Sequence, residues 1–289
     1  MLEHKEIVEV LKTSASKEMF KIKDKDTGRY YIESVIHNGY FEVYQTLQKL
    51  KIRIPRIIEV KQDGSDVIVI EEFLPFPTLE EYIRYEKLTV MDSYRIMCEL
   101  CDILHVLQSQ IPPIIHRDIK PNNIFYNGKN VFLADFDIAR HYSGTKQKDT
   151  VVLGTVGYAA PEQYGLGQSG IQADIYSLGI LFHYLLSGRF PYQKLYHGKE
   201  TKIIERCIET VPENRYQDVL ELKEAILHLT VYDHKLHFQQ RSNRQETKKP
   251  RYDQPPHYQE QNTRQKAESP HYDQPPHYQE RNTWQEAEP

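Results

Sequence analysis

The sequence predicts an α+β protein in which a small β-rich part precedes a larger helical part, followed by a tail with no core of its own. Three observations predict it. Over the first third, β-branched and aromatic runs alternate with turn residues. From Thr78 the apolar residues recur with helical spacing. From Tyr232 onward aliphatic residues nearly vanish in favour of Gln, Glu, Pro, His and Tyr. The 289 residues are 27% charged with a net charge of −4, which gives no basic field to gather nucleic acid or anionic lipid. Three cysteines in so long a chain point to reduced thiols and a cytoplasmic setting. A membrane span is not expected either, since the longest apolar stretch, 175–186, is broken by Ser177, Gly179 and His183.

In order, strands are expected over 18–23 and 30–36, on either side of the turn cluster Asp26-Thr27-Gly28. A helix over 40–50 interrupts them, and strands over 54–60 and 67–73 flank Asp63-Gly64. Helices follow over 79–85, 91–108, 173–186, 199–209 and 217–229. Between the second and third of these, 124–126 and 130–134 enclose Asn127-Gly128 and read as a short hairpin. The tail repeats itself: YDQPPHYQEQNTRQKAES from Tyr252 and YDQPPHYQERNTWQEAEP from Tyr272 agree at 14 of 18 positions, 20 residues apart, with a fainter copy from Tyr232. Solenoid repeats need aliphatic residues for a shared core, so this reads as a disordered tail of three duplicated polar segments able to recruit partner proteins.

The chemistry concentrates around the hairpin. It is preceded by His116-Arg117-Asp118-Ile119-Lys120-Pro121-Asn122-Asn123 and followed by Asp135-Phe136-Asp137. A carboxylate five residues before an amide, with a second carboxylate across a hairpin, can set one base beside a hydroxyl nucleophile and two oxygen ligands around Mg²⁺. Cys98, Cys101 and His105 form the other suggestive spacing, three positions on one helix face, and read as core packing rather than a metal site.

At these residues the chain resembles the eukaryotic-type serine/threonine protein kinase family. His-Arg-Asp with Asn five residues after the Asp is similar to its catalytic loop, and Asp135-Phe136-Asp137 stands where the family has Asp-Phe-Gly. Gly154-Thr155-Val156-Gly157-Tyr158-Ala159-Ala160-Pro161-Glu162 resembles the end of the activation segment, and Asp174 the start of the large lobe's central helix. Arg215 resembles the late arginine that pairs with that glutamate. Singly, each match has a bland reading as a turn former or an ordinary ion pair; the ordered set, spanning roughly residues 8–230, carries the resemblance. It implies a two-lobed protein kinase fold, with 1–74 as the small lobe, 75–231 as the large lobe and 232–289 as the tail. It also implies ATP and Mg²⁺ as cofactors and protein Ser/Thr hydroxyls as substrates. By the same resemblance Asp118 is the base, Lys120 neutralises the transferring group, Asn123 and Asp135 hold metal, and Thr155 braces Asp118. His116, Arg117, Phe136, Glu162, Asp174 and Arg215 have structural or regulatory parts, and Ser143, Thr145 and Thr150 are candidate phosphosites. The sequence variants are similar to bacterial kinases.

The small lobe departs from the family. The phosphate-loop glycines fall on Lys12, Ser14 and Lys17, the third-strand lysine falls on Ser34, and the partner glutamate falls near Val43 beside Glu42. Those absences support an alternative, a weak or inactive pseudokinase acting as a signalling scaffold. Lys17 is either a solvated turn lysine or a substitute cation, similar in position to the lysine of the with-no-lysine kinases. The backbone of Glu72 and Leu74 is expected at the adenine edge and Phe125 beneath the ring. Glu71 takes the gatekeeper position, paired with Lys17 or another cation, unless the register shifts by one.

Overall fold

The computed structural model describes residues 4–142, 154–165 and 169–229. The candidate phosphosites Ser143, Thr145 and Thr150 and the repeats of 232–289 lie outside the described residues. The first part is a five-stranded antiparallel sheet of β1 (Lys5–Thr13), β2 (Lys17–Asp24), β3 (Tyr30–Ile36), β4 (Ile57–Asp63) and β5 (Asp66–Glu72), in the order β1-β2-β3-β5-β4. The β2–β3 hairpin closes as its turn cluster dictates. The Asp24 carboxylate accepts from the Asp26 N–H at 2.9 Å and from the Thr27 hydroxyl at 2.6 Å, and Gly28 takes a positive φ of 71°.

Two strands of this sheet differ from expectation by more than one residue. β1 was absent from the sequence reading, because bulges after Ile7 and Val10 break its alternation and it is exposed along its whole length, leaving no buried face to read. The fourth strand starts at Ile57 rather than 54, since Pro55 has no N–H to give to a ladder.

Register decides which side chains the sheet turns inward. Lys17 pairs with Ile36 and Met19 with Ser34 across β2 and β3. Ile36, Ser34 and Ile32 pair in turn with Val67, Val69 and Glu71 of β5. Directly opposed residues share a face, so Lys17, Ser34 and Glu71 lie on the side of core residues Val67 and Val69.

Between β3 and β4 runs α1 (Phe41–Leu47), which buries Val43, Tyr44 and Leu47 and leaves Glu42 in solvent. The helical part holds α2 (Leu79–Tyr85), α3 (Val90–Gln108), α4 (Ile171–Ser187), α5 (Thr201–Cys207) and a last helical stretch over 219–229. Capping boxes at Thr78/Glu81 and Thr89/Asp92 start α2 and α3, which is why their first residues were predictable to within one position. α4 and α5 meet so closely that a Cβ on Gly179 would stand 2.3 Å from the Cys207 Cβ, a position only glycine fits. β6 (Ile114–Ile115) pairs with β9 (Arg140–His141), and β7 (Ile124–Tyr126) with β8 (Val131–Leu133), forming the expected hairpin. One apolar core runs from Ile36 and Val67 of the sheet through Leu47 and Leu100 to Leu181 and Ile226. On α3, Cys101 is buried in this core and Cys98 half-buried, whereas His105 points outward. Among the described residues no cluster of three or more His, Cys, Asp or Glu is arranged to hold a metal, and no helix is long and apolar enough to cross a membrane.

Candidate active site

The loop from His116 to Asn123 is pinned from below by the first turn of α4. The Asp174 carboxylate, fully buried, accepts the backbone N–H of His116 at 3.1 Å and of Arg117 at 2.9 Å. Burial pushes the Asp174 pKa up, and these bonds and His116 act against that rise. Arg117 adopts a positive φ of 68°, and its buried guanidinium donates through Nε to the Ile138 carbonyl at 2.7 Å. His116 Nδ1 accepts the Asp118 N–H at 3.3 Å, so Nε2 carries the proton and donates to the Ala134 carbonyl at 3.1 Å. Burial holds this ring's pKa down and keeps it neutral, and Phe136 packs edge-on against it at 4.7 Å.

Asp118 sits at the centre of a closed network. Its Oδ2 accepts from Lys120 Nζ at 2.7 Å and Asn123 Nδ2 at 2.9 Å, which uses both lone pairs of that oxygen. Its Oδ1 accepts only the Thr155 hydroxyl, at 2.7 Å, among the hydrogen bonds of the described residues, leaving one lone pair for an incoming hydroxyl. Lys120 Nζ also donates to Thr155 Oγ1 at 2.7 Å, which fixes the direction of the Thr155 proton toward Asp118. The Asn123 amide nitrogen donates to the Asp118 carbonyl and to Oδ2, both at 2.9 Å, which leaves its oxygen as the acceptor end of the amide. Asp135 adopts a positive φ of 65°, whereas Asp137 has no left-handed backbone and needs no glycine at its position.

Above these groups lies Lys17, 3% exposed on β2. Its ammonium donates to Asp135 Oδ1 at 3.1 Å and Asp137 Oδ1 at 2.9 Å. Of the two readings of Lys17, solvated lysine or cleft cation, the structure has the second. Burial works against the ammonium, yet Asp135, Asp137 and Glu71 outweigh it and hold the pKa above the ordinary lysine value. Burial also acts to raise Asp135, but Lys17 holds that carboxyl below its usual range. Asp137 is pushed up by burial and by the charge of Asp135, and burial pushes Glu71 to about 7 despite Lys17. Tyr44 of α1 donates its hydroxyl to Asp137 Oδ1 at 3.2 Å. No glutamate of α1 therefore reaches this cluster: the side chain that does is a tyrosine one position on from Val43, while Glu42 faces solvent. Sequence reasoning missed Tyr44; its only signal was its place beside Val43 on the buried face of a short helix. Ser34 is 3% exposed, and its Oγ has no hydrogen-bond partner among the described residues.

The phosphate-loop position is a tight hairpin in which Ser14 Oγ donates to the Lys17 carbonyl at 3.0 Å and accepts the Lys17 N–H at 3.1 Å. At the far end of the cleft, the Glu72 N–H is taken by the Arg56 carbonyl at 2.9 Å, so that residue has only its carbonyl to offer a ligand. Leu74 is buried just beyond β5, and Phe125 on β7 meets Phe76 edge-on at 6.4 Å. Farther down, Glu162 and Arg215 form a buried two-pronged ion pair at 2.7 and 3.0 Å. Gly154, with φ 103°, leaves space that a Cβ would lose to Gln163, Ala159 and the Arg117 carbonyl.

The chain matches the protein kinase domain over residues 6–252. It is similar to serine/threonine-protein kinase A of Synechocystis, 26% identical over 64% of this chain and 41% of the relative. It is also similar to serine/threonine-protein kinase pkpA of Phycomyces blakesleeanus, 29% over 80% and 39%, and to serine/threonine-protein kinase PrkC of Bacillus subtilis, 37% over 48% and 22%. The chain thus spans less than half the length of each of these curated relatives. With a matched stretch that covers both the sheet and the helical part, this chain belongs to the protein kinase domain family.

Proposed function

We propose that this chain is a serine/threonine protein kinase that transfers the γ-phosphoryl group of ATP to protein hydroxyls with Mg²⁺, through residues 1–74 and 75–231 as small and large lobes. The observation that carries the reading is the single open lone pair on Asp118 Oδ1, held in place by Thr155, Lys120 and Asn123. The donor chemistry fits the group. The Asp135 carboxylate and Asn123 amide oxygen are hard oxygen ligands of the kind Mg²⁺ takes, and Lys17 supplies a buried cation for phosphate oxygens. Bound Mg²⁺-ATP supplies the phosphoryl group and screens its charge.

In this reading Asp118 Oδ1 orients the substrate hydroxyl and takes its proton, while Thr155, its own proton directed by Lys120, keeps the carboxylate from turning. Lys120 adds positive charge on the acceptor side. Asn123 and Asp135 hold metal, Lys17 takes the part of the missing third-strand lysine, and the Glu72 carbonyl, Leu74 and Phe125 border the base. The buried Lys17 beside Asp135 favours catalysis over the scaffold alternative, because a scaffold has no use for an ammonium drawn into the cleft. Asp118→Asn is expected to abolish phosphate incorporation, followed by mass spectrometry, with an unchanged melting temperature. Equal incorporation by both proteins would remove the reading.

A further inference from the structure

We propose that Asp137, the carboxylate standing where the family has a glycine, is the positioning residue that replaces the missing helix glutamate, and that Tyr44 ties it to α1. The inference rests on the reading of Lys17 as the phosphate-side cation. In the kinase arrangement a lysine on the sheet is held by a glutamate on the helix, so that helix position governs where the ammonium stands. Here no carboxylate of α1 reaches the cleft, because Glu42 is in solvent. The lysine stands on the first residue of β2 instead of on β3, so its stem enters the cleft from the neighbouring strand. A counter-ion must still stand beside that ammonium. Asp137 does, at 2.9 Å from the Lys17 ammonium, and the same oxygen accepts the Tyr44 hydroxyl at 3.2 Å.

The bridge thus runs from β2 to the segment after β8 and on to α1, and it joins three elements where a lysine–glutamate pair joins two. Asp135 also touches Lys17, at 3.1 Å, but it is assigned to metal; Asp137 is the partner that leaves Asp135 free to serve there. The backbone allows the substitution, since residue 137 has no positive φ that only glycine would favour.

The test is a double-mutant cycle on the whole chain. First, without nucleotide, thermal unfolding of Lys17→Met, Asp137→Asn and the pair is compared. Non-additive shifts are expected, with the double variant no less stable than the weaker single one; additive shifts overturn the proposal. Second, equilibrium binding of a non-hydrolysable ATP analogue with Mg²⁺ is measured. Asp137→Asn is expected to weaken it at least fivefold in the wild-type background and not at all in Lys17→Met. Tyr44→Glu, which returns a carboxylate to α1, is expected to recover most of the binding lost in Asp137→Gly, a rescue that a merely structural role would not produce. Absence of rescue together with undiminished binding by Asp137→Asn also overturns it. If no protein binds the analogue, the kinase reading fails, and the nucleotide-free cycle still decides whether Asp137 holds Lys17.

Discussion

At the scale of single residues, the part proposed for Lys17 is the one that the resemblance gives to position 34. Lys17 and Ser34 are diagonal neighbours on the inner face of the sheet, one ladder step apart, so a long side chain from either reaches the same space. Lys17→Met is expected to weaken nucleotide binding at least tenfold, about 1.4 kcal/mol, while the exposed Lys25→Met leaves it unchanged. Ser34→Lys in the Lys17→Met background is expected to restore part of the loss; titration calorimetry with Mg²⁺-ATP measures both. The grouping of Asp118, Lys120 and Asn123 was legible because all three lie within one short stretch whose spacing is itself the signal. Tyr44 and Asp137 were not, since their contact spans 93 residues of chain and no local period encodes it.

At the scale of elements, β5 carries its charge inward. Glu71 follows Val67 and Val69 along the same face, within the field of the Lys17 ammonium and of the carboxylates of Asp135 and Asp137. Its folded pKa of about 7 lies above the ordinary 4.5, so the folded chain binds a proton there that the unfolded chain releases. The sign follows: Glu71 costs nothing below about pH 4.5, and its penalty grows as pH rises through about 7. Glu71→Gln is expected to raise the nucleotide-free melting temperature at pH 8 and to leave it nearly unchanged at pH 5; calorimetric scans at the two values check this. Elements bounded by caps or turns, such as β3 and α2, were readable from sequence to the residue. β1 escaped because a strand that buries neither face carries no pattern.

At the scale of the whole molecule, sheet and helices share one apolar core, and its last members are Val219, Leu222 and Ile226 of the stretch 219–229. A chain ending at Val231 keeps all of them and is expected to unfold in a single transition at the full-length temperature. A chain ending at Gln217 loses three buried aliphatic side chains, at ~1.5–3 kcal/mol each, and is expected to melt many degrees lower or fail to fold. Circular dichroism on the two truncations separates the cases. The fold class was legible at this scale because the apolar period changes from that of strands to that of helices near Thr78, but how the core spans both parts was not, as it depends on α1 packing on β4 and on side chains far apart in the chain meeting in space.

The contact between Gly179 and Cys207 has a consequence for the chemistry of the thiols. With no room between α4 and α5, the Cys207 sulfur is sealed and its pKa pushed far up by burial; Cys101 is likewise sealed, and burial raises Cys98 to about 11. All three therefore stay protonated, and thiol-directed alkylating reagents meet no ready thiolate among them. Cys207 reacts only when α5 lifts from α4, so its rate of modification counts openings of that joint and turns an inert residue into a clock for the breathing of the helical lobe.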